Sequence, residues 1–186
     1  MSRISPLAQL LASANAPLQL AERALLAHVI VRGRAEDAAF GAAVFAVLGV
    51  AVPTGPNTLG ESGDVRILWL GPDEWLVQAP DARRASVIGS LRAALAGQFA
   101  AVTDVSDGHT VIVLEDPRAA DLLSRACPLD LHLSVFGVGR CAQSLLGKAS
   151  VLLVREAPER FAITVRRSFA AYAFHVLQDA CALAVS

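Results

Sequence analysis

Charge is scarce in this chain and nowhere concentrated. Charged residues make up 18% of the 186-residue sequence, against roughly 25% in an ordinary globular domain. The formal net charge is −1, acidic and basic residues are interspersed, and neither end carries a charged tail. Nucleic-acid binding rewards clustered Lys and Arg, so no nucleic-acid partner is expected. Cysteine is limited to Cys127, Cys141 and Cys181, an odd count without a CxxC pair. That pattern fits buried thiols in a reducing compartment rather than a disulfide frame. With the histidines added, Cys127, His132, Cys141 and His175 offer two sulfur and two nitrogen donors, five, nine and thirty-four residues apart. No finger or ribbon has that spacing, and no metal site is expected.

Long apolar runs are missing too. Residues 4–16, ISPLAQLLASANA, end in Ala14-Asn15-Ala16 like a signal-peptidase site, but Pro6 and Gln9 interrupt a very short apolar core behind a single Arg3. From Ala38 to Gly60 there is no charge, yet Pro53, Gly55 and Pro56 end the run after about 15 residues, short of the roughly 20 that a bilayer span needs. A cytoplasmic protein without a membrane segment is expected. What the chain has in plenty is apolar side chains, 54% against about 45–50% in ordinary domains. Much of the excess is alanine, and either a composition bias or a partner-covered surface produces such a figure.

Periodicity and punctuation outline the elements. Leu25–Arg32 reads as a strand ended by Gly33, and Glu36–Leu48 as a helix apolar nearly all round, hence deeply buried or touching a partner. Residues 53–64 read as a loop that is mobile or docked. Val65–Leu70 and Trp75–Gln78 flank a turn at Gly71–Glu74, and Asp81 caps a helix striped by Val87, Ile88, Leu91, Ala94 and Leu95, which Gly97 stops. Asp107-Gly108 reads as a type I′ hairpin turn before a strand at Val111–Leu114. Asp116 then caps a helix starting at Pro117, with Ala119, Leu122, Leu123 and Ala126 on one face. His132–Gly147 reads as a linker around Gly137-Val138-Gly139-Arg140, Val151–Arg155 and Phe161–Arg166 as a hairpin, and Ser168 as the cap of a helix with Phe169, Tyr172, Ala173, Val176, Leu177 and Ala180 on one side.

The order strand, helix, strand, turn, strand, helix therefore occurs twice, at about residues 26–97 and 110–182, with Val29-Ile30-Val31 matching Val111-Ile112-Val113. The expected fold class is α+β: two βαββα pseudo-repeats, each a two-layer helix-on-sheet unit. The halves are expected at 1–98 and 99–186, tightly packed, as two units or one domain.

A search for chemistry returns little. Ser106 near Asp104, Asp107 and His109 resembles a nucleophile with acids and a base, but no nucleophile-elbow glycines surround it, and turn residues with local hydrogen bonds are the expected reading. Glu115-Asp116 lies at a strand–helix junction, and Arg166-Arg167 at a strand end could bind a carboxylate. Trp69 and Trp75 read as core or interface anchors. Gly137–Arg140 lacks the strand-loop-helix context of a phosphate loop. No catalytic, cofactor-binding or metal residue emerges.

A resemblance supplies what the residues alone do not. TDVSDGHTVIVLEDPRAADLL, CPLDLH at Cys127–His132, VFGVGRCAQSLLGK at Val135–Lys148 and VRRSFAAYAFHVL at Val165–Leu177 resemble the gamma-subunit family of heterotetrameric sarcosine oxidase. Ser5-Pro6-Leu7 and LGPDEWLV at Leu70–Val77 extend the likeness over nearly the whole chain. More widely, Asp104-Val105-Ser106, Asp116-Pro117, Pro128-Leu129-Asp130 and Gly139-Arg140 are similar to the folate-binding domain of aminomethyltransferases, the glycine-cleavage T-protein family. That family places an acidic pair after a glycine turn, whereas Gly147–Leu153 here carries no carboxylate. The resemblance implies an aminomethyltransferase-like fold and a non-catalytic assembly subunit. It implies alpha, beta and delta partners in a complex that oxidatively demethylates sarcosine to glycine, with peroxide and methylene-tetrahydrofolate formed. FAD, FMN, NAD and tetrahydrofolate are expected in the partner subunits and none in this chain. The other reading is a stand-alone folate-binding one-carbon-transfer protein.

Overall fold

The computed structural model describes residues 5–13 and 19–182. The chain forms two compact units: a central unit, Leu25–Asp107, and a composite unit made from Met1–Ala24 and Gly108–Ser186. The sequence-based boundary at 98/99 thus moves to 107/108, and the N-terminal arm joins the C-terminal part. Strand pairing is the cause, because β1 (Gln19–Arg23) pairs with β7 (His109–Glu115) through Gln19↔Glu115 to Arg23↔Val111.

The central unit holds β2 (Leu26–Arg32), α2 (Ala38–Leu48), β3 (Leu59–Ser62), β4 (Val65–Gly71), β5 (Glu74–Pro80), α3 (Arg84–Ala94) and β6 (Ala101–Asp104). Its sheet runs β3-β4-β5-β2-β6, with every pair antiparallel. Alternate residues Val29, Val31, Ile67, Trp75 and Val77 share one core with Phe40 and Val44 of α2 and Val87 and Leu91 of α3, the period-two and helical spacings that build two layers. The composite unit holds α1 (Ala8–Ser13), β1, β7, α4 (Ala119–Ser124), β8 (Cys141–Leu146), β9 (Ala149–Ala157), β10 (Arg160–Arg166) and α5 (Ala170–Ala182). Its sheet is β1-β7-β10-β9-β8, again antiparallel throughout. Ile112, Leu114, Phe161 and Ile163 face Leu122, Phe174 and Leu177 in its core, which also takes in Leu7.

Read from the opposite edge, the composite sheet is β8-β9-β10-β7-β1, the same order as β3-β4-β5-β2-β6 in the central unit. Each unit carries two strands more than a βαββα reading contains: β3 and β6 in the central unit, β8 and β1 in the composite one. Of these, β3 lies inside the expected 53–64 loop and β8 inside the expected linker. β3 and β8 are sheet edges, and neither LGES nor CAQSLL contains a β-branched or aromatic residue, so neither announces itself as a strand. The loop ahead of β3 is docked: Trp75 Nε1 donates to the Pro53 carbonyl at 2.8 Å and Trp69 N–H to that of Thr58 at 3.1 Å.

Other local expectations change. Asp107-Gly108 is not a hairpin turn, because β6 and β7 belong to different sheets. Ser106–Gly108 is a 3-10 turn carrying the chain from one unit into the other, and Gly108 lacks the positive φ a type I′ turn requires. Asp37 caps α2 by accepting from Ala39 N–H at 2.9 Å, and Gly49 ends it with φ of 67°. Rather than being buried all round, α2 turns Phe40, Val44 and Leu48 inward and leaves Phe45 exposed. Asp116 accepts from Arg118 N–H at 2.8 Å, but α4 starts at Ala119, two residues after Pro117. Helices α3 and α5 are each entered through a 3-10 turn, Asp81–Arg83 and Arg167–Phe169, so Asp81 and Ser168 lie inside turns rather than at helix N-caps. The buried face of α5 is Ala170, Ala173, Phe174, Leu177, Ala180 and Cys181, leaving Phe169 and Tyr172 exposed.

Arg155 pins the expected linker to the composite core. It is buried on β9, and burial pushes its guanidinium down from the ordinary value. Nη1 donates to the carbonyls of Leu131 at 2.8 Å and Phe136 at 3.0 Å, Nη2 to that of Pro158 at 2.5 Å, and the group lies 4.9 Å from the Phe161 ring centroid. Gly139, with φ of 78°, donates its N–H to the Arg155 carbonyl at 2.9 Å. The Gly137–Arg140 segment is thus a turn leading into β8. Arg155→Met leaves three carbonyls without their donor and should cost about 2–4 kcal/mol, read from the urea midpoint. Arg155→Lys should recover only part, since an ammonium lacks the planar fork.

Candidate functional site

Of the residues that most resembled a catalytic group, Asp104, Ser106 and Asp107 come together in the central unit, where their bonds define their role, while His109 begins β7 of the composite unit. Ser106 is 3% exposed. Its hydroxyl donates to Asp104 Oδ1 at 2.6 Å and accepts from His28 N–H at 3.0 Å, while Ser106 N–H also meets Asp104 Oδ1 at 3.1 Å. A serine hydroxyl held between a carboxylate and a strand backbone ties the turn to β2. Arg84, at the start of α3, adds Nε to Asp104 Oδ2 at 2.8 Å and a two-point contact to Asp107 at 2.7 and 3.2 Å. These bonds, first to Asp107 and then to Asp104, raise the Arg84 pKa further above its ordinary value. Burial pushes the Asp104 carboxyl up, but the hydrogen bonds from the Ser106 side chain, Arg84 and the Ser106 N–H outweigh it and hold the pKa below its ordinary 3.8. The arrangement joins helix, turn and sheet.

A second polar network crosses the composite sheet. Glu22 on β1 accepts from Thr110 Oγ1 at 2.5 Å and from the Ser5 hydroxyl. Arg23 grips Glu156 at two points, 2.7 and 2.9 Å, and Arg160 bridges Glu156 and Glu115 at 3.1 and 3.2 Å. Glu115 is therefore an ion-pair partner, and Asp116 beside it is held below its ordinary pKa by the hydrogen bond from the Arg118 side chain. Cys127 and Cys141 are buried while His132 and His175 are exposed, with the His132 ring 2.7 Å from Ser134 Oγ. Among the described residues no group of three or more His, Cys, Asp or Glu could hold a metal ion. Trp75 is buried 5.5 Å from the Phe40 ring, and Trp69 packs half-buried against the same core. Arg166 is exposed at the end of β10, where it pairs with His109 in the ladder.

One feature escaped sequence reasoning altogether. A cleft of about 630 Å³ opens in the central unit between the end of β2, the β4–β5 turn and the segment after α3, lined by Arg32, Gly33, Arg34, Asp73, Gln98 and Phe99, with Ala100 and Ala101. The signal available was the isolated Phe99 in an otherwise small-residue stretch, AGQFAA; its convergence with Arg32 and Arg34 is tertiary.

Comparison with known proteins bears on what these sites serve. A model of the sarcosine oxidase, gamma subunit family matches residues 32–183. The chain belongs to that family. The sarcosine oxidase subunit gamma of Corynebacterium sp. strain U-96 is 36% identical over 185 residues, covering 96% of this chain and 89% of that protein. The heterotetrameric sarcosine oxidase of Corynebacterium sp. U-96, solved with pyrrole 2-carboxylate, contains a chain matching this one with a TM-score of 0.87 at 32% identity, over 97% of this chain and 95% of that one. The glycine cleavage system aminomethyltransferase T of Bartonella henselae matches with a TM-score of 0.67 at 13% identity, over 95% of this chain and 57% of that one. This last likeness is one of fold, and it agrees with the α+β class read from the sequence.

Gly147, with φ of 59°, turns β8 into β9. The first carboxylate after it is Glu156, already bound to Arg23 and Arg160. Asp104→Asn should cost about 1 kcal/mol at pH 7, read from the urea midpoint. Because the folded pKa lies below the unfolded one, the stabilisation is present above the ordinary carboxylate value and fades as pH falls through the folded pKa. The difference between wild type and Asp104→Asn should therefore shrink as pH is lowered below about 4.

Proposed function

We propose that this chain acts as the gamma subunit of a heterotetrameric sarcosine oxidase and that its contribution is structural: it completes or holds the assembly and performs no chemical step. The observation that carries the reading is the end-to-end match to a chain of a solved heterotetramer, TM-score 0.87 over 97% of one chain and 95% of the other. Alpha, beta and delta subunits are its partners. FAD, FMN, NAD and tetrahydrofolate belong to those partners, and oxidative demethylation of sarcosine to glycine takes place there, in the cytoplasm.

The polar clusters support a non-catalytic role. Ser106, Asp104 and Arg84 hold a turn, Arg155 holds a loop, and Glu115 and Glu156 of the composite sheet are ion-paired with arginines. In these clusters the side chains are engaged by hydrogen bonds and ion pairs within the chain. The apolar composition fits a surface that a partner covers, and exposed Phe45, Phe99, Val135 and Val138 supply candidates for it. No helix among the described residues is long and apolar enough to cross a membrane.

Affinity purification of this chain from its native host should recover flavin-containing subunits in stoichiometric amount, read by visible absorption and intact mass. Recovery of the chain alone overturns the proposal. Tetrahydrofolate should leave the melting temperature of the isolated chain unchanged. A saturable rise following RT ln(1 + [L]/Kd) would instead support a folate-binding one-carbon protein.

A further inference from the structure

The Phe99 cleft has a chemistry that the fold does not use. Phe99 is 86% exposed, yet it is fixed in place: Gly97 takes φ of 78°, Gln98 N–H donates to the Leu95 carbonyl at 3.1 Å, and Ala100 N–H to that of Gln98 at 2.9 Å. The Arg34 guanidinium carbon lies 5.6 Å from the ring centroid, so one side of the ring carries a cation. Among the described residues Arg34 meets no carboxylate. Arg32 reaches Asp73 at 3.5 Å and Glu74 at 3.8 Å with more than half of its side chain exposed, contacts long and wet enough to exchange. The cleft wall therefore sets Arg34, which has no carboxylate of its own, beside an exposed aromatic ring and the small residues Ala100 and Ala101, while Arg32 is shared between Asp73 and Glu74.

We propose that this cleft is a docking site for another subunit of the sarcosine oxidase assembly, and that it receives a segment bearing a carboxylate next to an apolar side chain. The inference rests on the gamma-subunit reading above. The carboxylate meets Arg34, with Arg32 beside it, and the apolar side chain covers Phe99; pairing of an arginine with an aromatic anchor is the composition that concentrates energy at protein interfaces. A small free acid is a poorer fit, since a site that buries most of a small ligand does not leave its principal ring wall in solvent. The exposed Phe45 on α2 differs in kind: the helix carries no charge from Ala38 to Leu48, so it offers nothing that selects a partner by charge.

The test uses the complex formed by co-expressing the chain with the other sarcosine oxidase subunits of its host, purified through a tag on one of them. Phe99→Ala and Arg34→Glu should each raise the dissociation constant of this chain from the complex about tenfold or more, and Phe45→Ser should not. All three isolated variants should keep the wild-type melting temperature, because the altered side chains are exposed. Retention of both cleft variants at wild-type affinity overturns the docking site while leaving the gamma-subunit reading intact. Loss confined to Phe45→Ser moves the interface to α2 and also overturns it. Should Phe99→Ala instead abolish a dimer of the isolated chain and spare the complex, the occupant is a second copy and the proposal fails. If wild type is not retained by the other subunits, the gamma-subunit reading falls, and the docking site with it.

Discussion

The pairing of β1 with β7 is the constraint on which the architecture depends. Five residues near the start of the chain lie antiparallel to a strand that begins at His109, and everything in the central unit is inserted between them. Without β1, the composite sheet would end on β7, an apolar strand with residues such as Ile112 and Leu114 fully buried. A bare edge of that kind invites pairing with another chain. The molecule strengthens the pairing with charge: Glu22 binds Thr110 from the neighbouring strand, and Arg23 reaches across to Glu156. Beyond the ladder hydrogen bonds, this network sets register, because a one-residue slip would turn both side chains to the opposite face.

Arginine is the recurring means by which irregular segments are held. Arg84 collects Asp104 and Asp107 at the turn that ends the central unit, Arg155 collects carbonyls from a loop and a hairpin, and Arg118 answers Asp116 at the start of α4. For Arg155 the planar fork spans acceptors that come from separate stretches of chain, a task an ammonium performs poorly. A chain with few charges can place them this way because most of its stability comes from two apolar cores. The cleft beside Phe99 stands out against that pattern, since there the arginines face outward.

Legibility in the sequence tracked position in the sheet. Strands β2, β5, β7 and β10 occupy inner positions and carry Val, Ile, Trp or Phe runs, so composition revealed them. Edge strands β1, β3 and β8 carry no such run; β1 gave no strand signal, and β3 and β8 passed for loop and linker. Asp107-Gly108 misled because the dipeptide has the chemistry of a tight turn, while β7, the strand after it, pairs with β1 and β10, far away in sequence. The phase of α5 was misread by about one position, since the 3-10 turn before it decides which residues meet the sheet. Asp104, Ser106 and Asp107 were visible as a cluster; their arginine, twenty residues upstream of Asp104, was not. The same holds for Arg155 and for the Phe99 cleft, which gather residues from segments that no local spacing links.

The discontinuous composite unit also imposes an order on synthesis. All strands and both helices of the central unit have left the ribosome once Asp107 has emerged, so that unit can close on its own contacts. Strand β1, made before the central unit, has by then waited through the synthesis of a complete neighbour, and its partner strand appears only afterwards. The core helix α5 of the composite unit arrives last of all. The nascent chain thus carries a finished insert on an unfinished frame, and in the interval before β7 appears β1 lacks the strand it pairs with.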